Sequence, residues 1–306
     1  MVRATRSLLV AGGLSLLALG GSALAAANAS DPATYQTMAS TLLEFQGADI
    51  TPAIVPEELL SLSGALQVAF GNLTAELGST VPLSSDAASS SSALLAQSPA
   101  MSLNYTQAVT QQELFWSQLF TVIAFDAAYP GVSAINGTVA VTLQYLCNNM
   151  TVVNGALRNM TSPVQAWTAP NVTDGSGPHR FVQLVVAQGS DFTPLPAAQL
   201  ASGGNFSLAD YVARTRLGKV VAANYFVVEN GTHIAPGIDL KPTQAVPMQS
   251  VLAKATSISA SIIAEGTRSA QLKAASAAHR AHSASGAQAV ALVAVIALAS
   301  ALAVFA

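Results

Sequence analysis

The side chains best suited to chemistry in this chain stand where loops meet two apolar segments. His179 and Arg180 follow a loop rich in Gly, Pro and Asp and lead into the apolar segment 181–187. Asp126 directly follows another apolar segment, residues 119–125. Sites are commonly built where a loop joins a rigid sheet. An imidazole, a guanidinium and a carboxylate gathered there could hold a phosphate or a carboxylate group.

Other chemistries find less support in the sequence. Asp126, His179 and a serine such as Ser176 could form a hydrolase triad, but the chain has no G-x-S-x-G elbow, which disfavours a serine hydrolase. The four histidines are too few for a histidine-rich metal centre, although His279 and His282 lie three residues apart. Neither a P-loop nor a dinucleotide fingerprint occurs. We therefore expect no enzymatic activity, no metal and no cofactor.

The elements that must position these groups are mainly strands. Alternating or continuous apolar residues predict strands at 66–70, 119–125, 139–145, 181–187 and 220–229. Within the third of these, Gln144 is expected on the polar side, opposite Leu143 and Tyr145. Many strands separated by Gly, Pro and Asn turns favour sheet-on-sheet packing.

Helices are predicted at both ends of the strand-rich region. Asp31 is a capping residue followed by Pro at the first helical position, and Gly47 supplies a stop. Toward the C-terminus, apolar residues at 251, 255, 258 and 262 predict a second helix that Gly266 interrupts. This helix either flanks the site or forms part of a spacer. Residues 84–98, with four consecutive serines, are expected to be a flexible surface insertion rather than an element.

The two strand-end motifs, in this order, resemble the hallmarks of the phosphatidylethanolamine-binding protein family. Gly-Pro-His-Arg at 177–180 matches that family's Gly-x-His-Arg loop completely. Asp126 and Pro130 match the family's Asp-Pro-Asp-x-Pro loop, in which Ala127 and Ala128 replace the other Pro and the second Asp. The resemblance covers about residues 44–231, and the strand-like segment 217–226 also resembles the family's C-terminal strand.

The resemblance implies a mainly β fold with two antiparallel sheets and peripheral N- and C-terminal helices. It also implies a small anion-binding pocket, in which Gln144 stands near the position of a family histidine. Arg180 either contacts the ligand or braces the loop that carries Asp126. The implied ligand-binding residues are Asp126, Pro130, His179 and Arg180, and the possible pocket walls are Tyr129, Gln144 and Trp167.

Both ends of the chain carry targeting signals. Residues 1–25 place two arginines before an apolar stretch that ends in Ala-Leu-Ala, which predicts a cleaved secretory signal. Residues 287–306 are uncharged and long enough to cross a bilayer. Small residues at 276–278 followed by a polar spacer make this tail a GPI signal, with Ser276 as the attachment residue. An uncleaved single span is the alternative. Between these signals we expect a domain at 28–250 and a helix with a stalk at 251–286.

Secretion also agrees with nine N-x-S/T sequons, each an acceptor for N-glycosylation if its loop is exposed. None has Pro in the middle position. Asn149, which lies on or just after a predicted strand, is expected to be used least. The nine are Asn28, Asn72, Asn104, Asn136, Asn149, Asn159, Asn171, Asn205 and Asn230.

Charge and cysteine content exclude further classes. Only 9% of the chain is charged. Residues 28–250 carry 14 acidic and 6 basic side chains, a net charge of −8, which would repel nucleic acid. The single cysteine, Cys147, rules out an intrachain disulfide framework and is expected to be a buried, inert thiol.

These observations predict a secreted glycoprotein at the outer face of the plasma membrane or in the cell wall, held by a GPI anchor. Its expected role is the non-catalytic binding of a small anion or a phospholipid headgroup. One alternative is a protein-interaction module, similar to a protease inhibitor, with a protease or another surface protein as its partner and a degenerate pocket. The other alternative is a structural glycoprotein of the surface or wall.

Overall fold

The computed structural model describes residues 31–83, 91–106, 118–127, 134–135, 138–139, 141–174, 176–200, 206–230 and 246–284. The predicted secretory signal and the apolar tail lie outside these ranges. Four helices are described: α1 Asp31–Gly47, α2 Ser91–Leu95, α3 Leu208–Thr215 and α4 Met248–Ala284. Short 3-10 helices occupy Glu57–Leu59 and Ala197–Gln199. The strands are β1 Gly64–Phe70, β2 Leu73–Ala75, β3 Thr80–Leu83, β4 Ala100–Tyr105, β5 Phe120–Asp126, β6 Ala134–Ile135, β7 Thr138–Val139, β8 Thr142–Val153, β9 Ala156–Asn159, β10 His179–Gln188 and β11 Leu217–Asn230.

Nine of these strands form one mixed sheet. Its order is β2-β1-β4-β9-β8-β5-β10-β11-β3, and β6 pairs only with β7. The β11–β3 pair is parallel, and the other pairs are antiparallel. Just before β1, the N–H groups of Ser61 and Ser63 donate to carbonyls of β11, which draws the two ends of the sheet together. The predicted mainly β class with flanking terminal helices is confirmed.

The folded sheet encloses an inner core between its β1–β4 half and its β5–β10–β11 half. Phe70 of β1 lies 5.6 Å from Phe226 of β11, and Phe226 stacks 5.7 Å from Phe181 of β10, measured between ring centroids. The opposite face of β5, β10 and β11 carries a helix-side core, covered by α1, α3 and the start of α4. Buried Val251 and Ala255 place that part of α4 in this core. The central strands are therefore covered on both faces.

Burial on both faces explains why the central strands were recognisable in sequence. Every side chain of β5 is buried, and in β10 all except His179 are buried. A strand covered on both faces has a continuous apolar sequence rather than an alternating one. The predicted segments 119–125, 181–187 and 220–229 correspond to β5, β10 and β11. The predicted C-terminal limit of α1 at Gly47 is confirmed.

Two expectations about irregular segments were wrong. Gly266 does not interrupt the C-terminal helix, because α4 continues through it to Ala284. One glycine costs a helix about 1 kcal/mol relative to alanine, and the many Ala, Gln and Lys neighbours favour the helix. The serine-rich insertion contains α2, in which Leu95 is fully buried, so residues 91–98 are anchored to the inner core. Residues 84–90 lie outside the described ranges.

The expected orientation of Gln144 was also wrong. Its side chain is buried, with 4% of its surface exposed. The register between β5 and β8 shifts here, because Ala124 pairs with Tyr145 whereas Phe125 pairs with Leu143. Gln144 is thus the extra residue of a β-bulge, where simple alternation of side chains does not apply. Its Oε1 atom has no hydrogen-bond partner among the described residues.

Arg180 ties the helix layer to the sheet. Its side chain is buried, and its guanidinium donates to the carbonyls of Ala48 and Ala127. Ala48 follows α1, and Ala127 follows Asp126 at the end of β5. The peptide N–H of Ala127 in turn donates to the carbonyl of Arg180 at 2.9 Å. One buried cation therefore satisfies carbonyls from two separate segments.

We expect Arg180→Met to lower the free energy of unfolding by about 2–4 kcal/mol, because it leaves two carbonyls without a donor. Chemical denaturation of the purified domain measures this change. Arg214→Met is the matched control, since Arg214 is exposed and makes only surface contacts among the described residues, with Asp210 at 3.5 Å and with Gln199 Oε1 at 3.3 Å. The free energy of unfolding of this variant should fall by less than about 1 kcal/mol. Equal losses in the two variants would contradict the bracing role.

Candidate functional site

The end of β5 and the start of β10 bring Asp126 and His179 together. Phe181 pairs directly with Asp126 in the ladder, and His179 lies two residues earlier on the same face of β10. Asp126 Oδ2 is 2.8 Å from His179 Nδ1. The two side chains are 11% and 16% exposed, respectively, so the pair lies just beneath the surface. The predicted proximity of these two residues is confirmed.

A tight turn places a serine on the other nitrogen of the same ring. Gly177 has a φ of 78°, a left-handed conformation that favours glycine, and it turns the chain between Ser176 and Pro178. Ser176 Oγ consequently lies 3.1 Å from His179 Nε2. The same hydroxyl donates to the carbonyl of Thr173 at 2.7 Å.

This pattern of partners suits a doubly protonated ring. The Asp126 carboxylate can only accept, so Nδ1 carries a proton toward it. The Ser176 hydroxyl donates its proton to the carbonyl of Thr173. Its oxygen therefore remains free to accept a hydrogen bond from an N–H at Nε2. Both ring nitrogens therefore have acceptors when His179 is an imidazolium ion. An oxygen of an anionic ligand could take the place of the serine oxygen.

The same three residues have the order of contacts seen in a Ser-His-Asp triad. In a working triad the imidazole accepts the serine proton, and backbone N–H groups stabilise the oxyanion. Here the Ser176 hydroxyl donates to Thr173, and its own peptide N–H is also occupied by the Thr173 carbonyl at 3.1 Å. This arrangement does not prepare Ser176 as a nucleophile.

Arg180 does not share the face that carries His179. Consecutive side chains of a strand point to opposite faces. Phe181, on the same face as His179, belongs to the inner core, whereas Val182, on the same face as Arg180, belongs to the helix-side core. Arg180 was expected either to contact the ligand or to brace the loop that carries Asp126. Its hydrogen bonds to the carbonyls of Ala48 and Ala127 agree with the bracing role.

The remaining predicted pocket residues are placed differently. Trp167 packs on Phe70, with ring centroids 5.4 Å apart, and its indole N–H donates to the carbonyl of Leu95 at 2.8 Å. These contacts anchor the loop before the site to α2. Gln144 is buried in its bulge. Tyr129 and Pro130 lie outside the described residues. A cavity of about 460 Å³ occurs elsewhere in the sheet, and none of Asp126, Ser176, His179 and Arg180 lines it.

The sequence analysis considered Ser176 only as a member of a hydrolase triad, which the missing G-x-S-x-G elbow disfavours. The available signal was the intervening glycine, since a left-handed residue can return the chain toward the ring. Cys147 is fully buried as predicted, and burial raises the pKa of its thiol. In the described ranges no three His, Cys, Asp or Glu side chains converge as metal ligands would.

The predicted glycosylation sites differ in exposure. Asn149 is half-buried within β8, and Asn230 is half-buried and donates its side-chain amide to the carbonyl of Val172 at 2.9 Å. Ser276, the predicted anchor site, lies within α4. Among the described helices, none is both long and apolar enough to span a bilayer. The exposed acceptors are Asn72, Asn104, Asn159 and Asn171, and those outside the described residues are Asn28, Asn136 and Asn205.

Comparison with known proteins found similarity in structure only. No family model and no curated protein matches the chain. Carboxypeptidase Y inhibitor, solved in complex with its cognate proteinase, is 15% identical, with a TM-score of 0.50 over 63% of this chain and 96% of that one. Phosphatidylethanolamine-binding proteins of Plasmodium falciparum and Plasmodium vivax are 15% and 14% identical, with TM-scores of 0.44 and 0.46. The alignments cover 61% and 62% of this chain, and 96% and 97% of the two Plasmodium chains, respectively. At a TM-score of 0.50, the chain shares the fold of carboxypeptidase Y inhibitor.

Proposed function

We propose that this chain is a non-catalytic binding protein in which His179 holds a small anion. The anion is a free phosphate or carboxylate, or the phosphate of a phospholipid headgroup. The observation that carries the proposal is the 2.8 Å contact between Asp126 Oδ2 and His179 Nδ1. This contact directs the other ring nitrogen toward an acceptor that a ligand can replace.

Hydrogen-bond strength supports an anionic ligand at this position. A hydrogen bond from a charged donor to a phosphate or carboxylate oxygen is about twice as strong as a neutral one. Asp126 orients the ring, and it stabilises the imidazolium ion when the ligand arrives. Because residues 28–250 are strongly acidic, the ring is a local positive point on a negative body. Such a site favours a small anion over an extended polyanion such as nucleic acid.

A second candidate is a protein-interaction module. Carboxypeptidase Y inhibitor, which has this fold, was solved in complex with its cognate proteinase. That likeness supports a protease or another surface protein as the partner. In this alternative the His179 site contributes nothing to recognition, so a His179→Gln variant would bind the partner unchanged.

We place the protein at the outer face of the plasma membrane or in the cell wall, with a GPI anchor at Ser276. The support lies in the two terminal signals and the nine sequons, of which Asn72, Asn104, Asn159 and Asn171 have exposed acceptors. The part of α4 beyond Gly266 would serve as a stalk. From Gly266 to Ser276 it would extend roughly 16 Å, at about 1.5 Å per residue.

The binding proposal predicts that anion affinity falls as pH rises. Protonation gives the imidazole a positive charge that strengthens its hydrogen bond to an anion, so sulfate should bind about tenfold more tightly near pH 5 than near pH 8. Sulfate is the first probe because its own charge does not change over this range, and phosphoethanolamine is the second. Calorimetry measures both affinities.

Two variants separate the histidine from general effects of pH. His179→Gln keeps a hydrogen-bond donor but cannot gain charge, and it should bind sulfate weakly and equally at both pH values. Asp210→Asn removes an exposed carboxylate on α3 and should behave as wild type. If wild type binds neither anion, or if His179→Gln keeps the full pH dependence, the binding proposal fails and the interaction-module alternative is favoured.

The anchoring proposal predicts release from intact cells by phosphatidylinositol-specific phospholipase, because the apolar tail would have been exchanged for glycolipid. A variant that ends at Gly286 is the matched control and should appear in the medium without treatment. Immunoblotting of cells and medium measures both outcomes. Retention after treatment, together with a peptide from residues 287–306 in the mature protein, would show a membrane span instead.

A further inference from the structure

The ladder between β4 and β9 stops after a single residue pair. Ser102 pairs with Ala156, and the N–H of Leu103 donates to the carbonyl of Gly155 at 2.7 Å. Beyond Ser102 and Ala156 the two strands diverge. Pro99, just before β4, has no N–H with which to continue the ladder. The sheet therefore opens between residues 98–102 and 156–159.

This opening is the mouth of the cavity of about 460 Å³. That volume lies within the range of about 300–1,000 Å³ typical of small-molecule sites. The walls of the opening remain ordered, because β4 pairs with β1 as far as Ala100 and β9 pairs with β8 as far as Asn159. The cavity is thus a defined slot between two paired strands.

The lining of the slot changes from polar to apolar with depth. Ser102 Oγ donates to Gln67 Oε1 at 3.3 Å at the exposed side. The buried part of the lining comes from four residues of the inner core and from Tyr145, whose hydroxyl accepts from Nδ2 of the exposed Asn159 at 3.3 Å. The four apolar side chains are Val68, Met101, Met150 and Leu157.

Arg158 is the only charged side chain among the residues that line the slot. It is exposed, and the ion pairs of the described residues, His179–Asp126 and Arg214–Asp210, do not involve it. An arginine without a carboxylate partner presents its donors to a carboxylate, sulfonate or phosphate group. The lining thus combines one cation at the mouth with an apolar interior.

We propose that this slot binds a small amphipathic anion, whose apolar body lies against Met101, Met150 and Leu157 and whose anionic group pairs with Arg158. The site is separate from the His179 site, shares no lining residue with it, and does not depend on the function proposed above. Neutral apolar molecules lack the group that Arg158 would bind. Simple inorganic anions lack the body that the interior would cover.

A matched pair of fluorescent probes tests both halves of this ligand on the mature protein. Anilinonaphthalene sulfonate has an aromatic body with one sulfonate, and phenylnaphthylamine has the same rings without it. Arg158→Leu should weaken binding of the sulfonate probe about tenfold, the loss of one charge-assisted hydrogen bond, and change the neutral probe by less than about twofold. Arg158→Lys should retain most of the sulfonate affinity. Ser102→Trp should fill the mouth and weaken both probes.

Two further variants show whether the probes report this slot. Arg214→Leu removes an exposed arginine on α3, and His179→Gln alters the other site; both should bind the sulfonate probe as wild type does. The proposal is overturned if neither probe binds saturably, if Arg158→Leu affects both probes equally, or if Arg214→Leu weakens the sulfonate probe as much as Arg158→Leu does.

The sequon at Asn159 gives an independent test. Asn159 lines the slot, and its Nδ2 atom, which N-glycosylation would modify, lies 3.3 Å from the hydroxyl of buried Tyr145. A glycan there would occupy the space that the ligand requires. Mass spectrometry of the tryptic peptide should therefore find Asn159 unmodified in the mature protein. Full occupancy at Asn159 would contradict the proposal.

Discussion

The pairing of β10 with β5 is the constraint on which both the fold and the site depend. It sets Asp126 opposite Phe181, and from this register the two residues before Phe181 are directed to opposite faces. His179 joins Asp126 on the inner face, and Arg180 enters the helix layer to bind the carbonyls of Ala48 and Ala127. A slip of one residue would exchange these environments. It would bury the imidazole against α1 and leave two carbonyls without a donor.

Two neighbouring residues of one short motif thus have different roles: Arg180 stabilises the fold, and His179 is the proposed ligand-binding residue. Arg180 is buried and occupied by backbone acceptors, whereas His179 remains partly exposed and has one partner, Ser176, that a ligand can displace. The proposed anion site therefore relies on a single imidazolium ion. Arg158, in the slot between β4 and β9, is a second isolated cation on the acidic body. Each cation is suited to a small anion, and neither belongs to an extended basic surface.

The parts of the fold that could be predicted from sequence are those decided by local signals. Gly47 ends α1, as predicted, because a stop signal acts within a few residues. The apolar segments at 119–125 and 181–187 stand out because a strand buried on both faces needs no polar positions. The proximity of Asp126 and His179 followed from the family resemblance in the two loop motifs, and the ladder between β5 and β10 agrees with it.

The parts that could not be predicted depend on partners distant in sequence. Gln144 became a bulge residue because of how β8 registers with β5, and its own segment gives no sign of this. Helix α2 is anchored because Leu95 is buried in the inner core, although the surrounding serines and alanines favour a loop. The slot between β4 and β9 exists because a ladder ends early, and no local pattern records where two strands diverge. Gly266 was given too much weight because one unfavourable residue does not offset a long favourable helix.

The most direct test of the anion site is a crystal structure of the mature protein grown with sulfate near pH 5. The account predicts a sulfate oxygen about 2.8 Å from His179 Nε2, in place of Ser176 Oγ, with Asp126 still bound to Nδ1. It also predicts that Arg180 remains on the carbonyls of Ala48 and Ala127. Sulfate bound by Arg180 instead, or an imidazole that keeps Ser176 while sulfate binds elsewhere, would contradict the account.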